Sequence, residues 1–111
     1  MELINKKCKP CEGGIPKLTQ EEIKFYNFQL MTPWPVVDGV KISKSFPFKD
    51  FIQSIKFVNK LAEIAEAEGH HPVIHVFYSK LEIDLWTHAI LGLSENDFIL
   101  AAKIDEAFRT I

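Results

Sequence analysis

From Phe48 to Glu68 the chain carries a helical apolar pattern that runs into Gly69, and the residues that follow are His70, His71 and Pro72. At about 3.6 residues per turn, Phe51, Ile55, Val58, Ala62 and Ala65 stack into one apolar stripe, with Lys49, Gln53, Lys56, Lys60 and Glu63 on the wet side. Gly69 is placed to end this helix, because glycine tolerates the left-handed backbone that closes a helical C-terminus. Pro72 then biases His71 toward an extended conformation, so the chain turns sharply and leaves as a strand. Phe57, Leu61 and Ile64 lie off the stripe and widen the apolar arc. Two readings of that width are open: a second subunit packs on the helix, or the intramolecular core is generous.

The strands read as two pairs. "WPVVDGVKISKSFPF" predicts a hairpin across Asp38-Gly39, a dipeptide suited to a turn with left-handed central residues, and Trp34 is expected to anchor that region. "VIHVFY" and "KLEIDLWTH" predict a second pair joined near Ser79-Lys80. In the latter, Leu81, Ile83 and Leu85 alternate with Glu82, Asp84, Trp86 and His88, so one face is buried and the other is not. A first helix is expected from about Thr19 to Leu30, opened by a capping box between Thr19 and Glu22 and closed before Pro33 and Pro35. Ser94 and Asp97 open a last helix through the same kind of cap. The resulting αββαββα order argues for an α+β domain, an antiparallel four-stranded sheet layered with helices.

One domain is the simplest reading of 111 residues, and the expected division is a flexible segment over residues 1–17 followed by a single domain over 18–111. The formal charge of -2, with basic and acidic residues interspersed, leaves no electrostatic footprint for direct nucleic-acid binding. The start, "MELINKKCKPC", has no signal-peptide core, and no apolar run is long enough to span a membrane, so the expected location is cytoplasmic. Cys8 and Cys11 form a lone C-x-x-C followed by Glu-Gly-Gly-Ile-Pro. Zinc needs further ligands at suitable spacing, and a redox pair normally stands at a helix start, so these thiols are expected to sit in a loose tail.

The histidines hold the chemistry. Free imidazole titrates near pH ~6.5, so one ring can hold a proton while another accepts one, the minimum equipment for paired acid-base work. Glu66 precedes His70 by one helical turn, close enough to orient or charge that ring. A solvated or capping turn is the competing reading of His70-His71, and His75, inside a strand, reads as structural. Adjacent residues of an extended chain project to opposite sides, and the H-E-x-x-H spacing is absent, so no metal site is expected. Asp97 reads as the acidic half of the cap that Ser94 opens.

Taken together, Glu66, His70-His71-Pro72, Tyr78, His88 and Asp97 resemble the signature of the pterin-4a-carbinolamine dehydratase family. "DGVKISKSFPFKDFIQSIKFVNKLAEIAEAEGHHP" is similar to the family's hairpin and long helix, and "WTHAILGLSENDFILAAKID" to its last strand and terminal helix. The resemblance covers Leu18 to Ile111, and the cysteine pair is similar to that of some bacterial members. One local departure is Ala89 to Leu91, where many relatives carry smaller residues, often glycine.

The resemblance implies an α+β fold with helices on one face of the sheet, assembled as a homodimer or homotetramer. It also implies dehydration of a 4a-hydroxytetrahydropterin to a quinonoid dihydropterin, in tetrahydrobiopterin recycling, with no cofactor and no metal. His70, His71 and His88 match the catalytic histidines, with His71 and His88 expected to flank the reacting C4a-N5 edge and His70 to assist. Glu66, Asp97 and Trp86 are the expected substrate-side residues; Asp97 is alternatively a cap partner alone or serves both purposes, Trp86 either stacks on the pterin ring or covers the sheet, and Tyr78 is either packing at a strand end or a catalyst. A pterin-dependent aromatic amino acid hydroxylase is the implied pathway partner. The alternative for this fold is a non-catalytic binding module, either a transcriptional dimerisation cofactor or an assembly chaperone.

Overall fold

The computed structural model describes residues 2–10 and 15–111. Thr19 and Glu22 form the expected reciprocal cap, and helix α1 spans Gln20–Phe28. Strands β1 (Val36–Val37) and β2 (Lys41–Pro47) form the first hairpin. Its turn places both Asp38 and Gly39 at positive φ, 53° and 69°, as a tight right-twisted hairpin requires. Helix α2 spans Phe51–Glu68, strands β3 and β4 span Val73–Phe77 and Lys80–Leu85, and helix α3 spans Glu95–Arg109. The four strands form one antiparallel sheet in the order β1-β2-β4-β3, so β4 is central and β3 is an edge. The expected αββαββα, α+β fold is what the chain adopts.

Registers explain the layers. Ile42 pairs with Leu85, Phe46 with Leu81, and Ile74 with Ile83, so these residues share the sheet face that meets the helices. Leu81, Ile83, Leu85 and Ile42 are fully buried there, under Phe57 and Leu61 of α2 and Phe98 and Ile104 of α3. The abundance of phenylalanine has a structural use. Phe46 lies 4.9 Å from Phe108 and 5.9 Å from Phe57 between ring centroids, and Phe48 lies 5.4 Å from Phe57, joining β2, α2 and α3 through edge-on and tilted contacts. Trp34 anchors the hairpin as expected: it is buried, its indole N–H donates to Asp105 Oδ2 at 3.1 Å, and its backbone is held on both sides by the Asn27 amide.

Three expectations need correction here. Helix α2 starts at Phe51, not Phe48, because Asp50 supplies the N-cap by accepting from the Gln53 N–H, and Phe48 is left in the core. Its buried line is Ser54, Phe57, Leu61 and Ala65, whereas Phe51 and Ala62 of the expected stripe face solvent. The apolar arc is wide enough to allow either choice of centre, and packing on the sheet selected the flank with Phe57 and Leu61. Asp84 is also buried, although its face of the sheet carries no helix, because Ser43, Lys41 and His75 all close on its carboxylate.

The expected flexible segment is the third. Leu3 and Cys8 are buried, and Leu3–Asn5 form a short 3₁₀ turn beside α3. The Cys8 N–H donates to Glu68 Oε1 at 2.8 Å, and Lys7 reaches the Ala67 carbonyl at 3.0 Å. Residues 2–10 are therefore part of the packed structure. Cys11 lies outside the described residues. Burial, reinforced by the Glu68 carboxylate, pushes the Cys8 thiol up to about 12, which is the reverse of what a reactive cysteine needs.

Candidate active site

The C-terminus of α2 sets up the site. Gly69 adopts φ 66°, and its N–H returns to the Ala65 carbonyl at 2.9 Å, which satisfies a carbonyl left open by the end of the helix. The chain then swings away, and the two histidines separate. His70 is 8% exposed and turns inward, whereas the His71 side chain is 60% exposed and turns outward. Their splay is the expected one; their partners differ from expectation.

His70 Nε2 lies 2.6 Å from Asp97 Oδ1, across the interior from α2 to the first turn of α3. Asp97 is completely buried and uses its other oxygen twice, accepting from Thr87 Oγ1 at 2.9 Å and from the Ser94 N–H at 3.0 Å. The Thr87 and Ser94 hydroxyls are 2.6 Å apart. Since Thr87 gives its one hydroxyl proton to Asp97, the Ser94 hydroxyl is the donor in that pair. Asp97 thus closes the α3 capping box and holds His70 with the same carboxylate. A buried charge is tolerated where it is hydrogen-bonded this fully.

Glu66 contacts His71, not His70, with Oε1 3.0 Å from Nε2. The one-turn spacing points to His70, but the αL residue at Gly69 turns His70 inward and leaves His71, five positions from Glu66, over the exposed carboxylate. His88 is also placed differently from expectation. Strand β4 ends at Leu85, and His88 begins a 3₁₀ turn, His88–Ile90, inside a loop closed by the Thr87 N–H donating to Gly92 O at 2.8 Å. The loop brings His88 beside His70, and both line one cleft of about 290 Å³ with Gly69, His71, Thr87, Ala89 and Lys9.

Trp86 backs His88, with ring centroids 4.4 Å apart, and lines a separate hollow with Lys41 and Leu91. It braces the His88 ring and is not among the residues around His70. Tyr78, at the β3–β4 turn, is 79% exposed and packs against neither the core nor the cleft. His75 contacts Asp84 on the open face of the sheet at 3.1 Å, in keeping with a structural role. Among the described residues no cluster of His, Cys, Asp and Glu has the arrangement of a metal site, and no helix is long and apolar enough to cross a membrane. Thr87 and Lys9 were not singled out in the sequence. Thr87 precedes His88 directly, but nothing local signals that its hydroxyl will meet a carboxylate on another element.

Three imidazoles around one opening, one fixed by a buried carboxylate and one braced by an indole, make a site equipped to give and take protons. Fold and cleft together define an α+β domain that gathers three histidines around one cleft. Residues 16–107 match the family described as pterin 4 alpha carbinolamine dehydratase. A protein of Nitrosomonas europaea named "Putative pterin-4-alpha-carbinolamine dehydratase" is 47% identical over 109 residues, covering 98% of this chain and 96% of its own. One of the same name from Nitrosospira multiformis is 51% identical over 108 residues, covering 97% and 94%. The crystal structure of a transcriptional coactivator/pterin dehydratase from Brucella melitensis superposes with a TM-score of 0.75 at 34% identity, over 82% of this chain and 97% of that one. A pterin dehydratase-like protein described as a RuBisCO assembly factor in the alpha-carboxysome superposes with a TM-score of 0.57 at 27% identity, over 66% and 86%. The chain belongs to the pterin-4a-carbinolamine dehydratase family.

Proposed function

We propose that this protein catalyses dehydration of 4a-hydroxytetrahydropterins to quinonoid dihydropterins, as a cytoplasmic step in tetrahydrobiopterin recycling. The observation that carries the proposal is the convergence of His70, His71 and His88 on one cleft, with His70 fixed by the buried Asp97.

The reaction breaks the C4a–O bond and the N5–H bond. A protonated imidazole gives its proton to the leaving hydroxyl, which departs as water. The N5 proton passes to a neutral imidazole, and the N5 electron pair becomes the new N5=C4a double bond. Protons balance, because one histidine loses what another gains. His71 and His88 flank the C4a-N5 edge and exchange these protons. His70 assists: as a neutral ring donating from Nε2 to Asp97, it keeps its Nδ1 lone pair available. Glu66 orients His71 from the solvent side. Positioned groups of this kind contribute ~10²- to 10⁴-fold each.

The test follows decay of the carbinolamine ultraviolet signal generated by a pterin-dependent aromatic amino acid hydroxylase, the proposed pathway partner. Wild-type protein accelerates the decay, and His71→Ala and His88→Ala slow single-turnover dehydration by at least ~10²-fold. Wild-type rates in both variants overturn the assignment.

A second reading is a binding module, favoured by the described roles of the coactivator and the assembly factor whose structures resemble this one. It becomes the answer if the purified chain leaves carbinolamine decay unchanged and captures a protein partner stably. Self-association is part of the proposal under either reading. Phe51 and Ile52 are exposed at the start of α2, and Val76 and Phe77 are exposed on edge strand β3, where unpaired backbone groups favour another chain. A sedimenting mass of two or four chains is the expected result, and a monomer at micromolar concentration excludes it.

A further inference from the structure

The N-terminal segment reaches the histidine cleft through Lys9. Its backbone is clamped from both sides by one amide: the Lys9 N–H donates to Asn96 Oδ1 at 2.9 Å, and Asn96 Nδ2 donates to the Lys9 carbonyl at 2.6 Å. Asn96 is the residue before Asp97, so the clamp and the carboxylate that holds His70 share the first turn of α3. One residue earlier, Cys8 is buried, with its N–H on Glu68 and its sulfur 3.5 Å from the Asn96 carbonyl. The backbone of Lys9 is therefore held in place beside the cleft.

Charge pairing separates Lys9 from its neighbours. Lys6 is paired with Glu95, Lys7 is bonded to the Ala67 carbonyl, and Lys103 takes the remaining oxygen of Glu68. Lys9 has no carboxylate within ion-pair distance among the described residues, and it is exposed at the rim of a cleft whose inner side carries the buried His70. Of the nearby carboxylates, Asp97 is buried in its own bonds and Glu66 lies on His71. A positive group at the mouth of a cleft lined by imidazoles attracts negative charge. A group that extends from the cleft into solvent leaves through the opening that Lys9 helps to line.

We propose that Lys9 is a specificity residue that favours pterins carrying an anionic side chain, a carboxylate or a phosphate ester, over neutral ones. The inference rests on the pterin reading above and adds the side-chain class. Because the ammonium is exposed, the preference is modest and screened by salt, roughly two- to fivefold at low ionic strength.

Fluorescence titration with 6-carboxypterin and 6-hydroxymethylpterin at neutral pH tests it. Wild-type protein is expected to bind the carboxylate form more tightly, with an advantage that shrinks as salt is added. In Lys9→Gln the affinity ratio falls to about one, and in Lys9→Arg it is kept. Equal affinities in the wild type, or a ratio unchanged in Lys9→Gln, overturn the proposal. A wild-type protein that binds both probes with the predicted ratio yet leaves carbinolamine decay unchanged fails the dehydratase reading and leaves this one standing. A protein that binds neither probe overturns this proposal, and carbinolamine decay decides the dehydratase reading separately.

Discussion

His70 and Asp97 stand 27 positions apart in the chain and meet through Nε2 and Oδ1 at 2.6 Å, so the carboxylate that closes the α3 capping box also holds a cleft histidine. Asp97→Asn puts an amide among the donors that now converge on a carboxylate. Its expected cost is about 1–3 kcal/mol of stability and a fall in dehydration rate of ~10- to 10²-fold at temperatures well below the melting point. Thr87→Val removes a different bond to the same carboxylate and leaves the His70 contact in place. It is expected to lower the melting temperature with a smaller loss of rate. Equal ratios of rate loss to stability loss in the two variants would show that Asp97 acts on the fold alone.

Asp84 makes stability depend on acid. Burial alone would raise its pKa, but hydrogen bonds from Ser43, His75 and Lys41 outweigh burial and hold it below the ordinary carboxylate value. A depressed native pKa contributes stability above the unfolded value of about 4, and that contribution disappears as pH falls through the native value. Urea denaturation from pH ~5 downward is expected to show wild type and Asp84→Asn converging in stability. A difference that stays constant with pH would refute the assignment.

Cys8 should be chemically quiet. With its thiol pushed up to about 12 and its side chain buried, almost no thiolate is present at neutral pH. In a Cys11→Ser background, thiol reagents are expected to label native protein far more slowly than urea-unfolded protein. Labelling at comparable rates would mean that the N-terminal segment opens readily.

Leu91 carries backbone strain. It sits at φ 50° and is 70% exposed, so its side chain gains little packing to offset a left-handed conformation. Leu91→Gly should stabilise the fold by about 0.5–1 kcal/mol, the left-handed penalty less the added chain entropy of glycine. Thermal denaturation measures this, and destabilisation would show that the leucine makes a contact of its own, such as one in an assembled oligomer.

Local chemistry was legible in the sequence because it acts over a few residues. The Thr19–Glu22 and Ser94–Asp97 caps, the Asp38-Gly39 turn, the helix stop at Gly69 and the burial of Leu81, Ile83 and Leu85 each follow from backbone sterics, hydrogen bonds or side-chain period within one turn or strand, and each is found as expected. The resemblance carried by Glu66, His70-His71-Pro72, Tyr78, His88 and Asp97 is to the family that residues 16–107 match. Which carboxylate meets which histidine was open to the tertiary structure alone. Glu66 stands one turn from His70 and goes to His71, and Asp97 arrives from a distant helix because α2 and α3 pack side by side over the sheet. The same holds for the buried flank of α2, for the docking of residues 2–10 and for Lys9 at the cleft. An apolar arc, a tail or a lysine satisfies its local preferences in several arrangements, and only the surfaces that fold against it select one.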